Sequence, residues 1–249
     1  MLTLPVVEPA PRLLLVALWL LWAALLFGGC ALGRLNAERT RRMPAWTRLG
    51  SSLVLVAAAA VWALALALPP LPAQPLAAFA MWLAAGMALG CLGDFFMAGF
   101  IPVKEPVLGG MAAFGAGHLA YSAGFLGLSR TLSAPAPPAA LLVWLLAAVV
   151  LWYVVVYRGS RRTLLHRAAL PYALLLATTA GLATMTTFQD GALLLPAVGA
   201  ALFLFSDLIL AARLFNQRFF PLIDDVVWLT YGPGQMLIVY GLFMVAPMT

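Results

Sequence analysis

Eight apolar runs, each close to twenty residues long, constrain this chain more than anything else in it. They cover Leu13–Leu32, Leu49–Leu68, Leu76–Ala98, Val107–Leu128, Ala139–Tyr157, Ala168–Phe188, Gly191–Ala212 and Val226–Ala246. A bilayer core about 30 Å thick takes about 20 helical residues to cross. Lipid offers the backbone no water, so a spanning segment must satisfy its own N–H and C=O groups, as a helix does. The links carry proline or arginine: Pro69, Pro70 and Pro72 after the second run, Pro135, Pro137 and Pro138 before the fifth. Pro171 is expected in the first turn of the sixth helix, where proline is tolerated. The expected fold is therefore all-α, a polytopic bundle of eight transmembrane helices in one domain over residues 1–249. The first run lacks a preceding basic region and is followed by arginines, so it reads as a retained helix and not a signal peptide.

The charges orient the bundle. Only 9% of the residues are charged, against about 25% in a soluble domain. Twelve of the fourteen Lys and Arg residues fall in the links after the first, third, fifth and seventh runs, leaving Arg12 and Arg130 on the other side. The positive-inside rule then puts both termini outside the cytoplasm. The net charge of +6 is a matter of topology and of contact with anionic headgroups at the cytoplasmic arginine loops. It is not read as a nucleic-acid footprint. Cys30 and Cys91 lie inside apolar runs and are expected to pack as small hydrophobes.

Polar residues inside the runs mark where function can sit. Asp94 and Asp207 are carboxylates in the third and seventh runs, each about five residues before the end of its run. Such residues face a bundle interior or a water-filled cavity. A shared pattern of small residue, Asp, three apolar residues and Ala hints at a weak internal symmetry, a parallel four-plus-four repeat. His118 and Tyr121 share a face of the fourth helix at i, i+3, and Tyr231 and Gln235 share a face of the eighth at i, i+4. Pro233 between the last two is expected to bend that helix. The expectation is one polar pocket with Asp94 and Asp207 facing across it, lined by His118, Tyr121, Tyr231 and Gln235. Asp224 and Asp225 are expected at the interface, pairing Arg218, and His166 in solvent. The single lysine, Lys104, lies in a link, which excludes a retinal-type Schiff base inside the bundle. No GxSxG or HExxH pattern occurs, and one histidine with two aspartates is a thin ligand set for a metal. No metal and no cofactor is expected.

Four segments together resemble the YhhN-type lysoplasmalogenase-like membrane proteins. They are Gly93-Asp94, Phe114-Gly115-Ala116-Gly117-His118-Leu119-Ala120-Tyr121, Leu204-Phe205-Ser206-Asp207-Leu208-Ile209-Leu210-Ala211 and Tyr231-Gly232-Pro233-Gly234-Gln235. The resemblance implies hydrolysis of the vinyl ether bond of lysoplasmalogens to a fatty aldehyde and a glycerophospho-alcohol. It implies that Asp94 and Asp207 match the proposed catalytic acids, with a lysophospholipid as substrate and Ser206, His118, Tyr121, Tyr231 and Gln235 around it. The implied location is a bacterial inner membrane. The acids suit this chemistry, because a vinyl ether is cleaved by protonation on carbon and capture of the oxocarbenium ion by water, a division of labour like that of paired glycosidase carboxyls. The alternative on the same residues is a proton-coupled carrier of a small amphiphile, with the acids relaying protons.

Overall fold

Proline and glycine punctuate the chain into helices. In the computed structural model, which describes residues 8–67, 74–157 and 163–245, eight long helices follow in order and no sheet occurs among the described residues. They are α1 (Pro9–Leu32), α2 (Ala45–Ala67), α3 (Gln74–Met97), α4 (Pro106–Ser129), α5 (Pro138–Trp152), α6 (Leu164–Gln189), α7 (Leu194–Asn216) and α8 (Ile223–Val245). Helices α1, α4 and α5 each open on a proline, whose missing N–H costs nothing in a first turn. At the end of α3, Gly99 takes a left-handed φ of 75°. Its N–H reaches the carbonyl of Phe96, and that of Phe100 reaches Phe95, the paired bonds that close a helix on glycine. A π-helical turn, Tyr153–Tyr157, extends α5, and a 3₁₀ turn, Gly191–Leu193, leads into α7.

Six of these helices are long and apolar enough to cross a membrane: α1, α2, α3, α5 with its π turn, α6, and α7 with its 3₁₀ turn. Helices α4 and α8 are as long, 24 and 23 residues, but less apolar: α4 carries six glycines and His118, and α8 carries Asp224, Asp225 and Gln235. Leu142, Val143, Leu146 and Val150 of α5 and Leu13, Leu20 and Leu21 of α1 point outward, an apolar surface that suits lipid. This is an integral membrane protein by the length and composition of its helices.

All the helices but α7 start one to four residues before their apolar runs, because flanking residues join the first turns. Helix α6 begins at Leu164, so Pro171 lies well inside it and not in its first turn as expected. The upstream Leu-His-Arg-Ala-Ala residues are good enough helix formers to carry the helix through. Arg48, expected in a link, belongs to α2. Helix α7 runs on to Asn216, so Asp207 stands nine residues from its end, whereas Asp94 stands three from the end of α3. Equal distances from the ends of the runs did not mean equal distances from the helix ends. The prolines at 69, 70 and 72 and the arginines at 158, 161 and 162 lie outside the described residues.

Two helix pairs approach closely through glycine. A Cβ on Gly117 of α4 would stand 2.9 Å from the carbonyl oxygen of Gly86 in α3, and one on Gly234 of α8 would stand 2.9 Å from that of Gly199 in α7. Without a hydrophobic drive between helices in lipid, such contact is a main source of cohesion. Gly86 and Gly199 each precede the aspartate of their helix by eight residues, so both pairs carry a carboxyl at the same offset from their closest approach.

At one end the α1–α2 and α7–α8 links are stitched together. Asn36 folds the first link by accepting from the backbone N–H of Thr40 and Arg41 at 2.8 and 3.0 Å. The second link binds to it through Leu222 N–H to the Arg39 carbonyl and Asp224 N–H to the Thr40 carbonyl. Asp225 is buried, not interfacial, because its carboxylate accepts the N–H groups of Arg42 and Met43 at 2.6 and 3.1 Å. Asp224 pairs with Arg213, where Arg218 was expected. The two arginine-bearing links thus form one surface at that end of the helices.

Candidate active site

Asp94 is the centre of a buried hydrogen-bonded string. Its Oδ2 accepts from Ser52 Oγ of α2 at 2.5 Å and from Tyr231 Oη of α8 at 2.9 Å. Gln235 donates to Tyr231 Oη at 3.3 Å, and Tyr121 Oη of α4 donates to Gln235 Oε1 at 2.7 Å. Four helices therefore converge on one carboxylate, and a buried polar group so satisfied holds its geometry firmly. The lack of a side chain at Gly90 makes this possible, since a Cβ there would stand 2.8 Å from Gln235 Nε2.

Asp207 has different company. Its Oδ2 accepts a hydrogen bond from the hydroxyl of Tyr172 on α6, and it is half-buried where Asp94 is buried. Ser206 spends its hydroxyl on the carbonyl of Val227 at 3.1 Å, tying α7 to α8. His118 is buried with Nδ1 3.0 Å from Thr179 Oγ1 and its ring edge-on to Phe203 at 4.5 Å. Its Nε2 is buried without a hydrogen-bond partner.

Both aspartates line one cavity of about 760 Å³. Its deep end is Asp94, Ser206, Asp207, Phe114 and Tyr231; its outer part is Arg39, Arg41, Arg48, Arg213 and the linking segments. A narrower apolar slot of about 100 Å³ runs between α4, α5, the π turn, α6 and α7, walled by residues such as Met111, Leu151, Val155, Leu176 and Phe215. Asp207, Phe114, Met97 and Leu210 line both spaces. Asp207 therefore stands where a polar chamber meets an oily one.

Of the expected pocket residues, Tyr231 and Ser206 line the chamber, while His118, Tyr121 and Gln235 do not. Tyr121 and Gln235 lie behind it, connected to Asp94 through Tyr231; His118 packs on Phe203 and Thr179. Among the described residues, no three His, Cys, Asp or Glu side chains come together as a metal site would require.

No curated protein and no solved structure matches the chain. A sequence model of the YhhN family matches residues 47–242, most of its length. The chain belongs to the YhhN family. That family includes lysoplasmalogenases. In this YhhN protein the matched span begins at the foot of α2 and takes in every element that holds Asp94 and Asp207.

Two partners of the acids escaped the reading of the sequence. Nothing in the sequence sets Ser52 apart from Ser51 beside it. Tyr172 was legible in principle, as the one tyrosine of α6, eight residues from the helix start, where Asp207 stands nine from the end of α7.

Proposed function

We propose that this YhhN protein hydrolyses the vinyl ether bond of a lysoplasmalogen, with Asp207 as proton donor and Asp94 as carboxylate. The observation that carries the reading is the position of Asp207, at the junction of a polar chamber and an apolar slot. A lysoplasmalogen has its reactive bond at that junction: a hydrocarbon chain on one side of the ether, a phosphoglycerol on the other.

The roles follow from the company each acid keeps. Asp94 receives two hydroxyl donors on one oxygen, the environment of an anion. Asp207, beside the slot, can deliver a proton to the β-carbon of the vinyl ether. The resulting oxocarbenium ion is stabilised by the Asp94 carboxylate, which also takes a proton from the attacking water. The α-carbon gains the hydroxyl, and the hemiacetal collapses to aldehyde and free glycerol hydroxyl. The proton held by Asp94 then balances the one Asp207 gave. Tyr172 orients Asp207, and the Tyr121–Gln235–Tyr231 string fixes Asp94. Catalysis then comes from positioned acid and base in a site shaped to the substrate.

The same reading takes all eight helices as spanning, with both termini outside and the stitched arginine links in the cytoplasm, in one domain of a bacterial inner membrane. The equal glycine-to-aspartate offsets in α3 and α7 support the parallel repeat. Cysteines placed in 33–44 should be labelled only from the cytoplasmic side; labelling from outside reverses the orientation.

The direct test uses purified protein with a lysoplasmalogen, its 1-acyl counterpart, and vesicles bearing a proton gradient. The expected result is aldehyde from the alkenyl lipid alone. Gradient-driven uptake of intact lipid with no aldehyde would replace the hydrolase by a carrier.

A further inference from the structure

One cation in the chamber has no role in the chemistry above. Of the four arginines lining it, Arg213 is paired with Asp224, and Arg39 and Arg41 are exposed on the link. Arg48 lies deeper, half-buried on α2, with its guanidinium over the Trp228 ring at 5.4 Å. Its Nε is buried without a hydrogen-bond partner, and it forms no salt bridge among the described residues. A buried Nε–H left without a partner is costly, so a working state that supplies an anion to this guanidinium is favoured.

The spacing on α2 says which anion fits. Arg48 and Ser52 are i, i+4 on one helix face, about 6 Å apart along the axis, and Ser52 holds Asp94. In a glycerophospholipid three carbons separate the ether oxygen from the phosphate ester oxygen, a reach of about one helical turn. A lipid with its ether at the aspartates would therefore bring its phosphate to Arg48. We infer that Arg48 is the phosphate-binding residue of this cavity, gripping the headgroup phosphate of a lysophospholipid one turn above the acids. A guanidinium offers a phosphate two parallel N–H bonds, which an ammonium does not, and Trp228 holds it in place.

The inference rests on the hydrolase reading for what is cleaved, yet its test needs no cleavage. Tryptophan emission, which includes Trp228 beneath Arg48, reports binding of a 1-alkyl lysophospholipid, of 1-alkylglycerol and of inorganic phosphate alone. None of the three has a vinyl ether. The full-length protein should bind the lysophospholipid about 10- to 100-fold more tightly than alkylglycerol, and inorganic phosphate far more weakly than the lipid. Arg48→Met should bring the ratio close to one without weakening alkylglycerol, and Arg48→Lys should keep part of it. With the alkenyl lipid, Arg48→Met should raise KM and leave kcat within a few-fold. Equal binding of the two lipids by the unaltered protein would overturn the inference whatever the variants do. So would a ratio unchanged in Arg48→Met, phosphate alone binding as tightly as the lipid, or a fall in kcat at constant KM, which would mean that Arg48 acts through Asp94. Selective binding without any aldehyde release would keep this inference and remove the hydrolase; aldehyde release with an unchanged ratio would do the opposite.

Discussion

Replacing Asp94 or Asp207 by asparagine will leave a folded protein that releases aldehyde about 10²–10⁴ times more slowly, the usual cost of losing a positioned acid or base. Asparagine keeps the size of the side chain and an oxygen to accept from Ser52, Tyr231 or Tyr172, so the loss is of proton transfer and charge. Because the two acids serve one step, the double variant should be little worse than the worse single one. The rate of the unaltered protein should fall at high pH, where the donor is lost, and at low pH, where the carboxylate is. Initial rates on variants whose thermal unfolding matches the parent check this. Near-normal turnover by either single variant removes the two-acid mechanism.

The second large effect lies in the glycine contacts. A Cβ on Gly199 would stand 2.5 Å from the carbonyl oxygen of Gly234 and 2.9 Å from the backbone nitrogen of Ile238, and backbone cannot step aside. Gly199→Ala and Gly117→Ala should each cost about 1–3 kcal/mol by overpacking, lowering Tm by about 2–10 °C in a chain of this size. They should also slow turnover, since a misplacement of about 1 Å at a reacting group costs about 10²-fold. Gly28→Ala and Gly127→Ala, with nothing within 4 Å, are the controls and should leave turnover unchanged and Tm equal or slightly raised. Equal melting of all four variants would contradict the account of how α3–α4 and α7–α8 are held.

Hydropathy made the helices readable and the lipid made them so, because a membrane span must be apolar along its whole length. The same uniformity hid which face each helix turns inward. Asp94 and Asp207 stood out because charge in lipid is rare and costly. Tyr121 and Gln235 stood out too, but period alone could not tell a wall of the chamber from the layer behind it. His118 looked like a site residue from its type, while its surroundings, Phe203 and Thr179, come from helices distant in sequence. Asp225 looked interfacial beside Asp224, yet its carboxylate folds a link 182 residues away. By charge alone Arg48 reads as one more positive loop residue, and only the early start of α2 sets it one turn above Ser52.

The central claim is that a carboxylic acid protonates carbon. Hydrolysis of a lysoplasmalogen in D₂O, with the aldehyde reduced as it forms to prevent exchange, tests it directly by mass spectrometry. Protonation on the β-carbon predicts a single solvent deuterium at C2 of the resulting alcohol. Product with no deuterium at C2 would contradict the mechanism.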